Sequence, residues 1–445
     1  MPAPPPPRFL RVLLSRAVLV PVAVFAIALV VLGAVNRPSG AESEGEPTAD
    51  LASIARAGST DERIRGLQQF IAARPKAEGI WSPLGLAYLQ KVRETGDAGY
   101  YARAEEALDR ALRRDGRDPA AVVGMGQLAL ARHDFSAGLD WGRRARRLQP
   151  ESVRPYPVLV DALVELGRYE DATRELQQMI DLEPNLAGYA RASYLRELRG
   201  DLTGAVEAMR LAVSAGAGAP ENVAYVQALL GTLQFDRGRL DDAERTHRLA
   251  LAGFPGHAPA EAGLAEVEAA GGELDAAIDR YQALVARLPL PEYVIALGEA
   301  QLAAGRDEAA QETFALVEVQ RRLLESNGVN SDAELALFEA DHGDPARAVR
   351  VARRAWEAGP SVRSADALGW ALTRAGEADE GLRWARRALK LGWEDPTALY
   401  HAGMAARAAD ERDAAVAYLE AALKRNPDFS PLRAPKARTA LEELR

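Results

Sequence analysis

The stretch YPVLVDALVELGRYEDATRELQQMIDLEP, residues 156–184, holds the building unit of this chain. An apolar run closes at Leu166, Gly167 follows, and a second, amphipathic run stops before Pro184. Tyr156, Leu159, Gly167, Tyr169, Ala172, Leu176 and Pro184 mark the phrase. A later copy carries Leu230, Gly231, Gly238, Ala243, Ala250 and Pro255. Between Trp81 and Pro427 the phrase recurs about ten times at a period near 34 residues. Self-similarity at that period predicts a solenoid of stacked units, each burying its apolar face against the next.

The punctuation agrees. Gly167, Gly200, Gly238, Gly272, Gly305, Gly343 and Gly376 advance by 33, 38, 34, 33, 38 and 33 residues. A glycine between two helices supplies a left-handed turn at little steric cost. Pro150 to Pro184 and Pro255 to Pro289 are each 34 apart. Proline ends a helix because it cannot donate to the preceding turn. His133 and Asp410 stand where the turn glycine belongs. Three interruptions break the phase: Lys91 to Arg103, Ser214 to Asn222 and Glu318 to Asp332. Each is read either as a bend or partner contact or as a surface insertion, which loop entropy makes inexpensive.

The first complete unit opens with Trp81, Leu84, Gly85 and Tyr88, the pattern W-x-x-L-G-x-x-Y. In these residues the chain resembles the tetratricopeptide repeat (TPR) family. The resemblance implies an all-α fold, an α-solenoid right-handed superhelix of about ten TPR helix-turn-helix units. It also implies a concave groove lined mainly by the first helix of each unit. The array is expected over 77–428, with N-terminal capping helices at 51–76 and a C-terminal capping helix at 429–445. In that last helix Ala437, Ala440, Leu441 and Leu444 form one apolar face.

Ahead of the array, residues 1–16 carry Arg8, Arg11 and Arg16, and 17–35 are uncharged. That run has the length of a transmembrane helix. An acidic flexible linker, 36–50, follows with Glu42, Glu44 and Glu46. The charge asymmetry predicts a cytoplasmic N-terminus and extracytoplasmic repeats on a single-pass anchor in the cytoplasmic membrane. The alternative is a signal sequence cleaved near Ser39-Gly40-Ala41, giving a secreted or periplasmic protein.

Composition narrows the chemistry. The net charge of −9 argues against nucleic acid as the main partner. With no cysteine there are no disulfides, thiol nucleophiles or thiolate metal sites. The histidines show no H-E-x-x-H, and neither G-x-S-x-G nor a phosphate-cradling loop occurs. His247 falls at a core position. His342 sits in Asp341-His342-Gly343-Asp344, where helix capping accounts for Asp344 and a turn for Gly343. No catalytic residue, cofactor or metal is therefore expected. An enzyme would need ionisable groups converging in the groove.

Mapping the repeats onto groove-facing positions of the first helix gives Asp161, Tyr194, Tyr225, Thr232, Glu266, Glu299, Leu337, Arg363, Trp370, Tyr400 and Arg407. Aromatic rings there would anchor a peptide or partner helix, because they bury much area at little rotamer cost. Only five lysines occur in the chain and none falls on these positions. That disfavours the basic carboxylate clamp used by some members of the family. The expected function is a non-enzymatic scaffold that binds a protein or peptide and supports envelope assembly or secretion. The alternative is a hydrolase or carbohydrate-handling accessory with chemistry in the groove.

Overall fold

A computed structural model describes residue 54 and residues 59–216, 220–330 and 332–445. The leader, the proposed span at 17–35 and the linker at 36–50 lie outside the described residues. Among the described residues no helix is long and apolar enough to cross a membrane.

The described residues form 22 α-helices. α1 spans Thr60–Ala73, and ten hairpins follow. Hairpins 1 to 4 are α2 Trp81–Thr95 with α3 Gly99–Arg114, α4 Pro119–Ala131 with α5 Phe135–Leu148, α6 Tyr156–Glu165 with α7 Tyr169–Leu182, and α8 Leu186–Glu197 with α9 Leu202–Ala215. Hairpins 5 to 7 are α10 Pro220–Asp236 with α11 Leu240–Gly253, α12 Ala258–Ala270 with α13 Leu274–Arg287, and α14 Pro291–Ala303 with α15 Asp307–Ser326. Hairpins 8 to 10 are α16 Asp332–His342 with α17 Pro345–Ala358, α18 Val362–Arg374 with α19 Ala378–Ala388, and α20 Pro396–Ala408 with α21 Arg412–Arg425. α22 spans Arg433–Leu444.

The two helices of a hairpin differ in burial, and that sets the layers. α18 buries Val362, Ala365, Leu368, Trp370 and Leu372 around its circumference, whereas α19 buries one stripe of Gly381, Leu382, Ala385 and Ala388. First helices thus form an inner layer and second helices an outer one. The turns follow the sequence ruler. Gly167, Gly200, Gly238, Gly272, Gly305 and Gly376 have φ between 67° and 86°. His133 (φ 60°) and Asp410 (φ 57°) are the non-glycine residues in the same left-handed region among the described residues. Gly343 departs from the expectation, because it is absent from the positive-φ glycines. Its turn is organised instead by Asp344, which caps α17 through Ala346 N at 3.0 Å with Pro345 at the helix start.

Small residues permit close approach. His247 on α11 is fully buried, and a Cβ on either Gly231 of α10 or Gly263 of α12 would run into its ring. Burial pushes this imidazole down to a pKa of about 4, so it packs as a neutral core residue.

The array also winds back onto itself. The turn inside hairpin 1 meets the loop between hairpins 6 and 7: a Cβ on Gly96 would strike Leu288 and Leu290. In hairpin 2, Arg132 O accepts from Asn330 N at 3.1 Å, and Arg132 Nε donates to Asn327 O at 3.1 Å. In hairpin 3, Gly167 lies against the carbonyl of Pro360, and Tyr169 OH accepts from Val362 N at 2.7 Å. Asp395, after hairpin 9, lies within electrostatic reach of Glu197 of hairpin 4. In hairpin 5, Asn426 Nδ2 donates to Phe235 O at 2.8 Å. Each of these five pairings sets hairpin n against the segment that follows hairpin n + 5. Six hairpins therefore complete one coil, and the second coil rests on the rim of the first.

All three phase slips fall on contacts between distant hairpins. Gly96 and Arg93 belong to the first, Glu221 to the second and Asn327 to the third. Glu221 accepts from Gln90 Nε2 at 2.8 Å and pairs with Arg93 at 3.0 Å. They are parts of the closure, so the surface-insertion reading is set aside for these residues.

Candidate functional site

Closing the coil converts an open groove into a series of cavities along its axis. The first, about 490 Å³, is mostly apolar and is lined by residues such as Leu89, Val92, Tyr101, Tyr225, Tyr293 and Leu324. The second, about 310 Å³, lies between the coils and is lined by Glu165, Asp236, Glu266, Glu334, Arg363 and Trp393 among others. His133 and Glu334 belong to both walls, so the two adjoin. The third, about 600 Å³, lies at the C-terminal end under α22.

Of the eleven groove residues read from the sequence, eight line these cavities. Tyr225 lines the first, Glu266, Leu337 and Arg363 the second, and Glu299, Trp370, Tyr400 and Arg407 the third. Three line none of them. Asp161 is held by Arg191 in a bidentate pair at 2.8 and 2.6 Å. Thr232 Oγ1 donates back to Ala228 O at 3.2 Å. Tyr194 OH accepts from Arg363 Nε at 2.8 Å.

One expectation needs correction. Tyr194, Tyr225, Trp370 and Tyr400 are only 3–5% exposed, so they are not open anchoring rings. Groove positions in an array of this kind face solvent only while the coil stays open. Here Arg363 of the second coil covers Tyr194, whereas Tyr225, Trp370 and Tyr400 turn into the stack, Tyr225 against His257 and the other two against His401. Trp370 stacks on His401 at 4.4 Å and donates from Nε1 to Asp341 Oδ1 at 3.0 Å.

The third cavity is a charge network. Arg433 on α22 donates to Glu299 at 2.7 and 3.0 Å and to Asp341 at 2.6 Å. His342 Nε2 lies 3.1 Å from Glu299 Oε1. Burial raises the Asp341 carboxyl, but Arg433 outweighs it and holds the pKa at about 2. Glu299 is likewise held below the usual carboxylate range against its own burial, by Arg433 and His342. Glu299, Asp341 and His342 bring ligand atoms within 4.8 Å of one another, close enough to hold a metal ion. The guanidinium of Arg433 already supplies the cation there.

The second cavity is acidic and less balanced. Asp332 pairs with Arg354 at 2.8 Å, Asp366 faces His401 Nδ1 at 3.0 Å, and Asp395 caps α20 through Ala398 N at 2.5 Å. Asp236 and Glu334 each keep a buried oxygen without a hydrogen-bond partner, and burial lifts the Asp236 carboxyl well above its usual range. Desolvation raises Glu266 and Glu334 to about 7. Both side chains keep some surface, and it faces the cavity they line.

The His401–Asp366 pair orients an imidazole whose Nε2 has no partner. Ser361 and Ser364 reach the same wall, but Ser364 Oγ donates to Gly359 O at 2.5 Å and Ser361 caps α18. That gives a base without a nucleophile bonded to it, which falls short of a hydrolytic triad.

Sequence reasoning missed Asp236, Glu334, Asp395, His401 and Arg433. Most sit at helix ends or next to loops, and only coil closure carries them to the axis. The phase slips were the signal, since each of them lands on a contact between distant hairpins.

No curated protein matches the chain in sequence. Among solved structures, a thermophilic TPR protein of Thermus thermophilus is 22% identical and covers 43% of this chain and 98% of its own, with a TM-score of 0.38. The human IFIT1 dimer with PPP-AAAA is 15% identical over 82% of this chain and 87% of its own, at 0.46. The Cut9–Hcn1 hetero-tetramer of the APC/C is 17% identical over 89% and 87%, at 0.38. Models described as tetratricopeptide repeat match residues 89–153, 158–220, 228–290 and 396–429, about half of the chain. With its paired helices and left-handed inner turns, the chain belongs to the tetratricopeptide repeat family.

Proposed function

We propose that this protein is a non-enzymatic scaffold that holds a protein or peptide on the axial face of its coil. Its location would be outside the cytoplasm, on a single-pass anchor in the cytoplasmic membrane, in support of an envelope assembly or secretion process. The observation that carries the binding mode is the third cavity. There a helix of the chain itself, α22, presents Arg433 to Glu299 of α14 and Asp341 of α16. A helix seated on the inner layer, with one guanidinium held by two carboxylates, is the kind of contact a partner helix would make. The location rests on the basic flank before 17–35 and the acidic stretch after it.

Site-specific photo-crosslinking of the full chain in its native cell tests the binding mode. A probe replacing Met404, which lines the third cavity, should enrich one defined partner. The same probe replacing Leu249, 60% exposed on the outer layer, should not. Crosslinks from Leu249 alone would overturn the axial reading. Carbonate extraction with N-terminal sequencing tests the anchor: a mature chain beginning near Glu42 would mean that the segment is removed.

A further inference from the structure

We infer that the cavity between the two coils is a binding site for an organic cation, an alkylammonium or guanidinium group, received by Asp236, Glu266 and Glu334. Of the carboxylates in this wall, Asp332, Asp366 and Asp395 are engaged with Arg354, His401 and the start of α20. Glu165 lies beside Arg363, whose Nε is committed to Tyr194 and whose charge also acts on Asp236 and Glu334 without forming an ion pair with either. No ion pair reaches Asp236, Glu266 or Glu334 among the described residues. Asp236 is 4% exposed and Glu334 half-buried, and each has an oxygen bonded to nothing.

Buried carboxylates without partners are costly, and a structure keeps them where a ligand completes them. Desolvation favours the neutral form of all three, and a cation placed beside them would favour the charged form.

The shape selects the kind of cation. A metal ion needs ligand atoms that converge, and the one converging group among the described residues is Glu299, Asp341 and His342 in the third cavity. Asp236, Glu266 and Glu334 do not converge in that way among the described residues, which suits a larger cation with several donors. Aromatic residues Phe135, Phe235, Trp393 and Phe429 complete the lining and favour a cation with an apolar body. His401, held at Nδ1 by Asp366, lines the same wall with its Nε2 unpartnered. About 310 Å³ lies at the small end of ligand sites. The adjoining apolar cavity, about 490 Å³, gives an attached hydrocarbon chain somewhere to go.

The group has two sources, a free amine or a basic side chain of a bound protein; only the second rests on the scaffold reading. Calorimetric titration of the full-length protein with spermidine and with agmatine tests the first. A capped Leu-Arg-Leu peptide, with its citrulline counterpart as control, tests the second. Magnesium chloride at matched ionic strength controls for simple charge screening. The site predicts one-to-one binding of at least one organic probe and none by magnesium or the citrulline peptide. In the Asp236→Asn/Glu266→Gln double variant, affinity should fall by roughly tenfold or more. The unliganded melting midpoint of that variant should hold or rise, because uncompensated buried acids are gone. Glu334→Gln is the second variant if the first folds poorly.

Failure of every organic probe, or equal binding by wild type and variants, would overturn the site. Binding of the amines without the peptide assigns a small-molecule cation. Binding of the peptide alone assigns a basic side chain. Loss of partner capture at Met404 with intact spermidine binding would overturn the scaffold reading and leave this site standing.

Discussion

Gly231 and Gly263 owe their identity to the ring between them. His247 fills the space a side chain on either would need. Replacing Gly231 by Leu should destabilise the protein by about 1–3 kcal/mol through overpacking, read by urea denaturation with the midpoint falling at constant slope. An unchanged midpoint would mean that α10 and α11 are not packed as described. Residues of this kind were legible in the sequence, because helix approach within a repeat is local and periodic. His133 and Asp410 were legible too: both take the left-handed turn in place of glycine. Asp236 was not, since nothing about the end of α10 announces the second coil opposite it.

At the scale of elements, α22 is more than a polar lid. Of its predicted apolar stripe, Ala437, Ala440 and Leu441 are buried and Leu444 is half-buried. Arg433, in its first turn, reaches two carboxylates that are 134 and 92 residues away in sequence. Arg433→Ala leaves Glu299 and Asp341 facing one another in a largely covered site and should cost about 3 kcal/mol. The loss should shrink as pH falls into the usual carboxylate range, because the covered carboxylates of the variant take up protons there and the repulsion is removed. Denaturation at pH 7 and at pH 4 checks both parts. The helices themselves were readable from period and punctuation. Long-range pairing was not, because it depends on how far each hairpin rotates relative to the last, a quantity with no local sequence mark.

For the whole molecule, protonation divides the pH axis into windows. Glu266, Glu292 and Glu334 have folded pKa values raised to about 7 by desolvation. Their contribution to stability is therefore complete below the ordinary value near 4.5 and is lost as pH rises through 7. His247 and His257, lowered to about 4, act the other way: their contribution is complete above 6.5 and is lost as pH falls toward 4. Between pH 6.5 and 8 only the carboxyl effect of these two sets operates. The melting midpoint should fall across that window in wild type, and the triple variant Glu266→Gln/Glu292→Gln/Glu334→Gln should be flatter.

The contact between coils has its own test. Gly167→Val places a side chain against the Pro360 carbonyl at a left-handed backbone position. It should open the rim, enlarging the radius of gyration in small-angle scattering while far-ultraviolet helicity stays the same. A compact variant would show that the rim contact does not hold the coils together.

A repeat array would ordinarily fold from neighbour to neighbour. Here the rim pairing imposes an order in time. The inner turn of hairpin 3 finds its counterpart at Val362, 193 residues later in the chain. At about 5–20 residues per second, a ribosome takes on the order of 10–40 s to deliver that counterpart. Through that interval the nascent first coil has a bare edge at Tyr169, which lacks its backbone partner, and over an earlier interval of similar length Gly96 lacks Leu288 and Leu290. Any holding factor that attends the newborn chain would find its footing on that edge, and would be displaced when the later hairpins arrive.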